Sequence, residues 1–238
     1  MNAKKSMILL LSACLGLILF LAGCFMGHDQ PVVDRGRDRL PDLKSASYKT
    51  PVISGASKIG PGGFSREYVN ISGDDLAVMP PWVGHRISQD GLPEADNLVM
   101  LPLDLTFERR KIYVTNETSR FFLDMAAAAR QEGIILEVDS GYRSVDYQRR
   151  IFERKIKEGD DFYDISRWVA PPGYSEHMLG TTLDLVPSNW TFSETAANKW
   201  LLANAYLFSF VQSYPEKSNK GFAWEPWHWK YIGPVTGL

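Results

Sequence analysis

The chain has almost no cysteine. Its 238 residues include only two, Cys14 and Cys24, and both lie near the start of the sequence. The main part of the chain therefore offers no thiol nucleophile, no thiolate metal ligand and no internal disulfide. Any metal site there must be built from His, Asp or Glu.

The sequence also lacks an excess of charge of one sign. Its 26 Lys and Arg residues nearly balance its 28 Asp and Glu residues, which leaves a formal net charge of −2. It contains no basic stripe, no phosphate-binding glycine loop and no internal repeat. We therefore expect no nucleic-acid partner.

The first residues are typical of a targeting segment. Two lysines precede an apolar run over 7–21, which is short for a membrane span and leads into the sequence Ala-Gly-Cys that ends at Cys24. This arrangement resembles a bacterial lipoprotein signal, in which the cysteine is lipidated and becomes the first mature residue. We expect a signal peptide over 1–23 and an extracytoplasmic protein anchored to a bacterial membrane, in the periplasm or on the outer face of the cell membrane. An uncleaved anchor helix is the alternative.

Composition divides the rest of the chain. Proline and glycine are frequent over 24–63, which we interpret as a flexible tether. Residues 64–96 carry several turn signals and are expected to form loops with short strands, either as a small N-terminal lobe or as a wrap around the main domain. The main domain is expected over 97–238.

The predicted main domain mixes helices with short strands. Apolar periodicity predicts helices over 118–133, 145–157 and 193–205, the last with Ser193 as its N-cap. Short apolar or β-branched runs predict strands at 98–105, 134–138, 183–186, 207–211 and 227–232. Because no regular βαβ alternation is present, we expect an α+β fold with a small antiparallel sheet and flanking helices.

A histidine and an aspartate seven residues apart form the first candidate metal site. On one straight helix, His177 and Asp184 would lie about 10 Å apart along the axis, too far to share an ion. Gly180 offers a break, so that His177 would end a helical turn and Asp184 would begin a strand, with both side chains facing one metal. The alternative is a half-buried strand with Asp184 in solvent.

The second candidate pair is Glu225 and His228. On a strand, alternation turns His228 away from the flanking Trp227 and Trp229. Glu225 then lies in the preceding loop, near a metal but not bound to it, which suits a general base. Two imidazoles and a carboxylate with an open position suit zinc. The alternative is a buried aromatic strand with a hydrogen-bonded core histidine.

An arginine follows one of the predicted strands. Arg143 lies in a glycine-containing turn, where a fixed guanidinium would stabilise an oxyanion or bind a substrate carboxylate. The alternative is a salt bridge with Asp139 or Asp146. Gln148, on the following helix, would reach the same cleft. Ser175 lacks the context of a serine nucleophile, and the His-Glu-x-x-His motif is absent.

Three motifs follow one another in the main domain. They are Ser-Gly-Tyr-Arg-Ser at 140–144 with Gln148, Ser-x-His-x-x-Gly-x-x-x-Asp at 175–184, and Glu-Pro-Trp-His-Trp-Lys-Tyr at 225–231. Together they resemble the zinc D-alanyl-D-alanine carboxypeptidases of the VanY type, over about residues 97–233. The resemblance implies the fold that this family shares with D-Ala-D-Ala dipeptidases and hedgehog domains. One departure is Thr182, where the family usually has alanine.

The resemblance implies a role for each matching residue. His177, Asp184 and His228 would bind zinc, Glu225 would be the catalytic base, and Arg143 would stabilise the oxyanion. The candidate substrate contacts are Ser175, Gln148, Tyr142 and Trp227.

The implied function is zinc-dependent hydrolysis of the terminal D-alanine from peptidoglycan stem peptides, by an enzyme held at the membrane through a lipid anchor. Two related activities stay open, namely an L,D-carboxypeptidase and an endopeptidase that cuts cross-links. A non-catalytic module that binds the cell wall is a third alternative, since fold alone does not fix function. The free carboxylate of Glu225 argues against that third alternative.

Overall fold

The structure is a computed structural model that describes residues 58–59 and 65–234. Its strands are β1 (Lys58–Ile59), β2 (Ser65–Arg66), β3 (Tyr68–Ile71), β4 (Asp74–Ala77), β5 (Leu98–Met100), β6 (Tyr113–Thr115), β7 (Val138–Ser140), β8 (Thr182–Leu185), β9 (Phe210–Gln212) and β10 (His228–Tyr231). Its helices are α1 (Asn116–Gln131), α2 (Val145–Glu158), α3 (Phe162–Ser166) and α4 (Ala196–Asn204). Short 3₁₀ turns connect many of these elements.

Four strands form the main sheet, in the order β7-β8-β10-β9, and each is antiparallel to its neighbour. The other described strands form three two-stranded pairs, β1-β2, β3-β4 and β5-β6. The mixture of helices and small antiparallel sheets confirms the predicted α+β class. β10, the last of the described strands, lies inside the sheet between β8 and β9.

The two longest helices begin and end within two residues of the predicted positions, and a side-chain cap satisfies the first turn of each. The Thr115 side chain accepts the Thr118 backbone N–H at 3.3 Å at the start of α1. The Ser144 hydroxyl accepts the Tyr147 N–H at 3.1 Å at the start of α2. Gly159, at φ 106°, ends α2 in the left-handed conformation that glycine adopts without strain.

The third predicted helix begins later than expected. Ser193 does not cap it, because this serine lies within a 3₁₀ turn, Trp190–Glu194, and donates its hydroxyl to the Trp190 carbonyl. Thr195 is the cap instead, and its side chain accepts the Asn198 N–H at 3.0 Å. Ser193 and Thr195 are two residues apart and both are good N-cap residues, so the sequence alone does not show which of them caps the helix.

Several predicted strands are shorter or shifted. The strand predicted at 134–138 runs from Val138 to Ser140, and the run at 98–105 is a strand only to Met100 before a 3₁₀ turn, Leu103–Leu105. The strand predicted at 207–211 begins at Phe210, after a 3₁₀ turn. Short apolar runs do not reveal their secondary structure by periodicity, which explains these differences.

The main hydrophobic core lies between the sheet, α1 and α4. Leu183 and Leu185 of β8 are 0% and 1% exposed and pack there with Phe122 and Met125 of α1. Burying each such side chain stabilises the fold by roughly 1.5–3 kcal/mol. Because neighbouring residues of a strand face opposite sides, Asp184 points away from this core.

A second core forms where the segment 64–96 meets the helices. Val69 and Ile71 of β3 are buried against Ile151 and Phe152 of α2, and Trp82 joins the same cluster. The Trp82 indole N–H also donates to the buried Ser166 carbonyl at 2.7 Å. The segment 64–96 therefore shares a hydrophobic core with α2 and α3.

The predicted signal peptide, the Cys24 lipidation site and most of the predicted tether lie outside the described residues. Within the part of the chain that the structure describes, no helix has the length and apolar character needed to cross a bilayer.

Candidate active site

Three side chains from two strands and a turn meet in a buried cluster. One ligand atom from each of His177, Asp184 and His228 lies within 4.8 Å of the others, and the three residues are only 2–5% exposed. Among the described residues, this is the group of His and acidic side chains with the spacing of a metal site. The structure thus brings together the three ligands named from the sequence.

The strand register fixes the distance between two of these residues. His228 of β10 lies directly opposite Asp184 of β8 in the antiparallel pair. Side chains opposite one another on one face of such a pair have Cβ atoms only about 4.5–5.5 Å apart. The backbone of the sheet therefore holds the aspartate and the histidine together.

A tight turn delivers the third residue. His177 lies in a 3₁₀ turn, Glu176–Leu179, which ends at Gly180 with φ 66°. Because glycine adopts this left-handed conformation without strain, the chain can reverse here directly into β8. A residue with a side chain would be strained in the same conformation. The predicted break between His177 and Asp184 is present, and the alternative of a solvent-facing Asp184 is wrong.

The backbone of the segment 140–144 orients the His177 ring. The His177 Nδ1 lies 2.7 Å from the Gly141 carbonyl oxygen, and its Nε2 lies 3.1 Å from Asp184 Oδ2. Gly141 approaches β6 so closely that a Cβ there would lie 2.5 Å from the Tyr113 carbonyl oxygen. Burial and the positive charge of Arg143 lower the pKa of His177, which favours the neutral imidazole that a metal requires.

The two nitrogens of His228 face different partners. Nδ1 lies 3.1 Å from Asp184 Oδ1 and 3.4 Å from Glu225 Oε2, towards the centre of the cluster. Nε2 lies 3.2 Å from Glu176 Oε2. Burial alone would lower the pKa of His228, but its hydrogen bonds to Asp184 and Glu176 and the charge of Glu225 raise the pKa to about 10. The ring is surrounded by carboxylates.

Glu225 lies in the loop before β10, as predicted, and faces the cluster. Its backbone N–H donates to the Tyr214 carbonyl at 3.0 Å, and its own carbonyl accepts the His228 N–H at 3.2 Å. Burial raises the pKa of Glu225 to about 7; the positive charge of His228 opposes this shift and the negative charge of Asp184 adds to it. A carboxyl group with a pKa near neutrality is suited to accept and release a proton.

Arg143 contacts the cluster directly. Its Nη2 lies 2.5 Å from Asp184 Oδ2, and its Nε donates to the Ser140 hydroxyl at 2.8 Å. The alternative salt bridges are wrong, because Asp139 pairs with Arg110 and Asp146 pairs with Arg149. The guanidinium therefore lies at the site itself.

The four expected substrate contacts differ in their surroundings. Trp227 packs in the main hydrophobic core at 8% exposed, so the structure gives it a packing role and does not support a substrate contact. Gln148 is 1% exposed and donates its amide to the Ala170 carbonyl at 2.7 Å. Ser175 is 4% exposed and immediately precedes the turn that carries His177, while Tyr142 is half-buried beside Arg143.

Sequence reasoning missed three side chains around His228. Glu176 and Lys230 form an ion pair of 2.7 Å next to its ring, and the Tyr214 ring lies 4.8 Å from the imidazole. Glu176 and Lys230 both fall inside the recognised motifs, so their position next to the ligands was a usable signal. Tyr214 lies outside these motifs and had no such signal.

The side chains fit a divalent cation. Two imidazole nitrogens and a carboxylate converge, and despite burial the interactions of Asp184 with His177 and Arg143 hold the pKa of this carboxyl group well below its usual range. A further carboxylate, Glu225, lies beside them without being one of the three. Buried nitrogen and oxygen donors of this number and kind are those of a mononuclear zinc hydrolase.

The comparisons with known proteins agree with this class of site. A family model described as VanY, D-alanyl-D-alanine carboxypeptidase, matches residues 111–234. The chain belongs to this family. It is 34% identical over 169 residues to the carboxypeptidase-like protein YodJ of Bacillus subtilis, and this alignment covers 63% of this chain and 59% of YodJ. It is 33% identical over 125 residues to a D-alanyl-D-alanine carboxypeptidase of Enterococcus faecalis, which covers 48% of this chain and 47% of that protein.

A solved structure shares the fold. The LD-carboxypeptidase LdcB matches with a TM-score of 0.54 and 34% sequence identity, over 60% of this chain and 71% of that chain. The likeness confirms the hedgehog and D-Ala-D-Ala peptidase type of fold expected from the motifs. The chain spans less than two thirds of the length of the two relatives named above.

Proposed function

We propose that this protein is a zinc-dependent D-alanyl-D-alanine carboxypeptidase that removes the terminal D-alanine from peptidoglycan stem peptides. The observation that carries the proposal is the buried His177, Asp184 and His228 cluster with the Glu225 carboxylate 3.4 Å from the His228 Nδ1. Membership of the VanY family and the likeness to an enterococcal D-alanyl-D-alanine carboxypeptidase support the substrate class.

Each side chain has a distinct task in this proposal. His177, Asp184 and His228 would hold the zinc ion. When bound, zinc supplies Lewis-acid polarisation of a carbonyl group and acidifies a water molecule. Glu225 takes the proton of the attacking water and passes it to the leaving amine of D-alanine. The Arg143 guanidinium stabilises the negative charge that develops on the carbonyl oxygen of the scissile bond.

The test of the mechanism is Glu225→Gln in the full chain. Purified pentapeptide stem fragments are incubated with either protein, with and without chelator and with zinc added back, and analysed by mass spectrometry. We expect the wild type to release one alanine only when metal is present, and Glu225→Gln to bind zinc normally without turnover. Glu158→Gln is the matched control, because the same substitution then falls on an exposed residue at the end of α2. Near-normal activity of Glu225→Gln would refute the assignment.

A second candidate is an L,D-carboxypeptidase that acts on tetrapeptides. The observation in its favour is the likeness to the LD-carboxypeptidase LdcB, at 34% identity. The same mass analysis separates the two: loss of alanine from tetrapeptide only would favour the L,D activity. Cleavage of cross-linked fragments alone would favour an endopeptidase, and binding without cleavage would favour a cell-wall-binding module.

We also propose that the enzyme is a lipoprotein. The support is the N-terminal sequence, in which a short apolar run ends in Leu-Ala-Gly-Cys at Cys24. Lipidation there would anchor an extracytoplasmic domain to a bacterial membrane through the tether 24–63, within reach of the cell wall. Cys24→Ala is expected to release or mislocalise the protein while leaving its intrinsic activity unchanged. A variant that still sediments with the membrane fraction would contradict the lipid anchor.

A further inference from the structure

The carboxylate of Glu176, which neighbours one candidate metal ligand in sequence, contacts the ring of another candidate ligand, His228. Glu176 directly precedes His177 in the chain, yet its Oε2 lies 3.2 Å from the Nε2 of His228, 52 residues away. Its Oε1 accepts a hydrogen bond from the Lys230 ammonium group at 2.7 Å. The side chains of Glu176 and His228 are only 18% and 5% exposed, so solvent screens the contact weakly.

These contacts decide which nitrogen of His228 carries the proton. To bind a cation the ring must be a neutral imidazole, which donates from one nitrogen and offers a lone pair at the other. The ionised Glu176 carboxylate can only accept, so it favours the tautomer protonated at Nε2. The lone pair is then at Nδ1, which faces Asp184 Oδ1 at 3.1 Å in the centre of the cluster. The other tautomer would place a lone pair against the Glu176 carboxylate.

Lys230 holds Glu176 in this position. It lies two residues after His228 on β10, so the two side chains emerge from the same face of the strand. Its ammonium fixes one oxygen of Glu176 while the imidazole contacts the other. The ion pair thus ties the turn that carries His177 to the strand that carries His228.

The two histidines are therefore oriented by different kinds of partner. The Nδ1 of His177 contacts a neutral backbone carbonyl, that of Gly141, at 2.7 Å. The Nε2 of His228 contacts a charged side chain. The second contact can be removed by substitution without changing the main chain, which makes its contribution measurable.

We propose that Glu176, anchored by Lys230, is a positioning residue that fixes His228 with Nε2 protonated and Nδ1 directed to the metal. The inference rests on the proposed function, in that it takes His228 to be a zinc ligand. Hydrogen bonds from ligand histidines to carboxylates of this kind typically contribute 10- to 100-fold to metal affinity, as order-of-magnitude values.

The experiment measures zinc affinity of the full chain by competition with a chromophoric chelator. We expect Glu176→Ala to weaken zinc binding by about 10- to 100-fold. Glu176→Gln, whose amide oxygen still accepts a hydrogen bond, should weaken zinc binding by only roughly 2- to 5-fold, because a neutral acceptor forms a weaker hydrogen bond than a carboxylate. Lys230→Met should fall between the two. Glu158→Gln, a substitution of an exposed residue at the end of α2, should match the wild type.

A second readout separates positioning from general stability. The NMR signal of the His228 Nε2 proton in the zinc-loaded protein reports the contact with Glu176. It should lie downfield in the wild type, as expected for a proton hydrogen-bonded to a carboxylate, and move upfield or be lost to solvent exchange in Glu176→Ala. Zinc affinities of Glu176→Ala and Lys230→Met within two-fold of the wild type, with an unchanged Nε2 proton signal, would overturn the inference. A wild-type chain that binds zinc with the expected pattern but leaves stem peptides intact would refute the proposed activity and uphold the positioning role. A wild type that binds no zinc would overturn both.

Discussion

Replacing Gly141 with alanine should damage the site through steric contact alone. Gly141 has no positive φ, so its backbone conformation is open to alanine. The added Cβ would lie 2.5 Å from the Tyr113 carbonyl oxygen and 2.8 Å from Ile112 Cγ2, where ordinary contact begins near 3.4 Å. The segment 140–144 or strand β6 must therefore move by about 0.9 Å. Forcing extra atoms into a packed interior typically costs about 1–3 kcal/mol of folding free energy.

The same movement displaces the Gly141 carbonyl that orients His177. A misplacement of about 1 Å in a catalytic group can reduce activity by about 10²-fold. We therefore expect Gly141→Ala to lower the free energy of unfolding, measured in urea, and to reduce zinc affinity and turnover of pentapeptide. The control is Gly91→Ala, because a Cβ at Gly91 meets only Leu179 Cδ2, at 3.5 Å. A Gly141→Ala variant as stable and as active as Gly91→Ala would refute the steric argument.

Two further substitutions test other parts of the structure. Arg143→Ala should reduce kcat by about 10²–10³-fold, as expected for loss of an oxyanion donor, and should affect zinc affinity less. If the variant instead binds zinc weakly but has an unchanged kcat when saturated with zinc, Arg143 acts only as a partner of Asp184. Trp82→Phe removes the indole donor to the buried Ser166 carbonyl and should lower the unfolding free energy by about 1–3 kcal/mol. An unchanged urea midpoint for Trp82→Phe would contradict the packing of the segment 64–96 onto α2 and α3.

Much of the site could be predicted because its geometry is encoded locally. Gly180, between His177 and Asp184, predicted a break in the helix that would turn both side chains towards one metal. Gly180 does adopt a left-handed conformation there. Strand alternation around His228 correctly separated it from Trp227, which packs in the main core. The fold class followed from helices predicted by apolar periodicity and from short strands without a regular βαβ alternation.

What could not be predicted depends on contacts between distant residues. Glu176 and His228 are 52 residues apart, and no local periodicity reports their 3.2 Å contact. The alternative considered for Arg143 was a salt bridge with a neighbour in sequence, whereas the structure pairs it with Asp184, 41 residues away. The predicted start of α4 at Ser193 was wrong for a different reason, since two candidate caps two residues apart compete and the Thr195 side chain is the one that accepts the Asn198 N–H.

The position of β10 inside the sheet has a consequence for how the protein is made. A chain synthesised from its N-terminus presents β8 with an unpaired edge until β10 follows, and an unpaired edge invites aggregation. β10 also carries His228, directly opposite Asp184. Closing the sheet and completing the ligand set are therefore one event, which occurs only after nearly all of the described chain has emerged. A nascent or truncated chain that lacks this strand has neither the native sheet nor the complete cluster, so the three candidate ligands come together only in molecules that have finished folding.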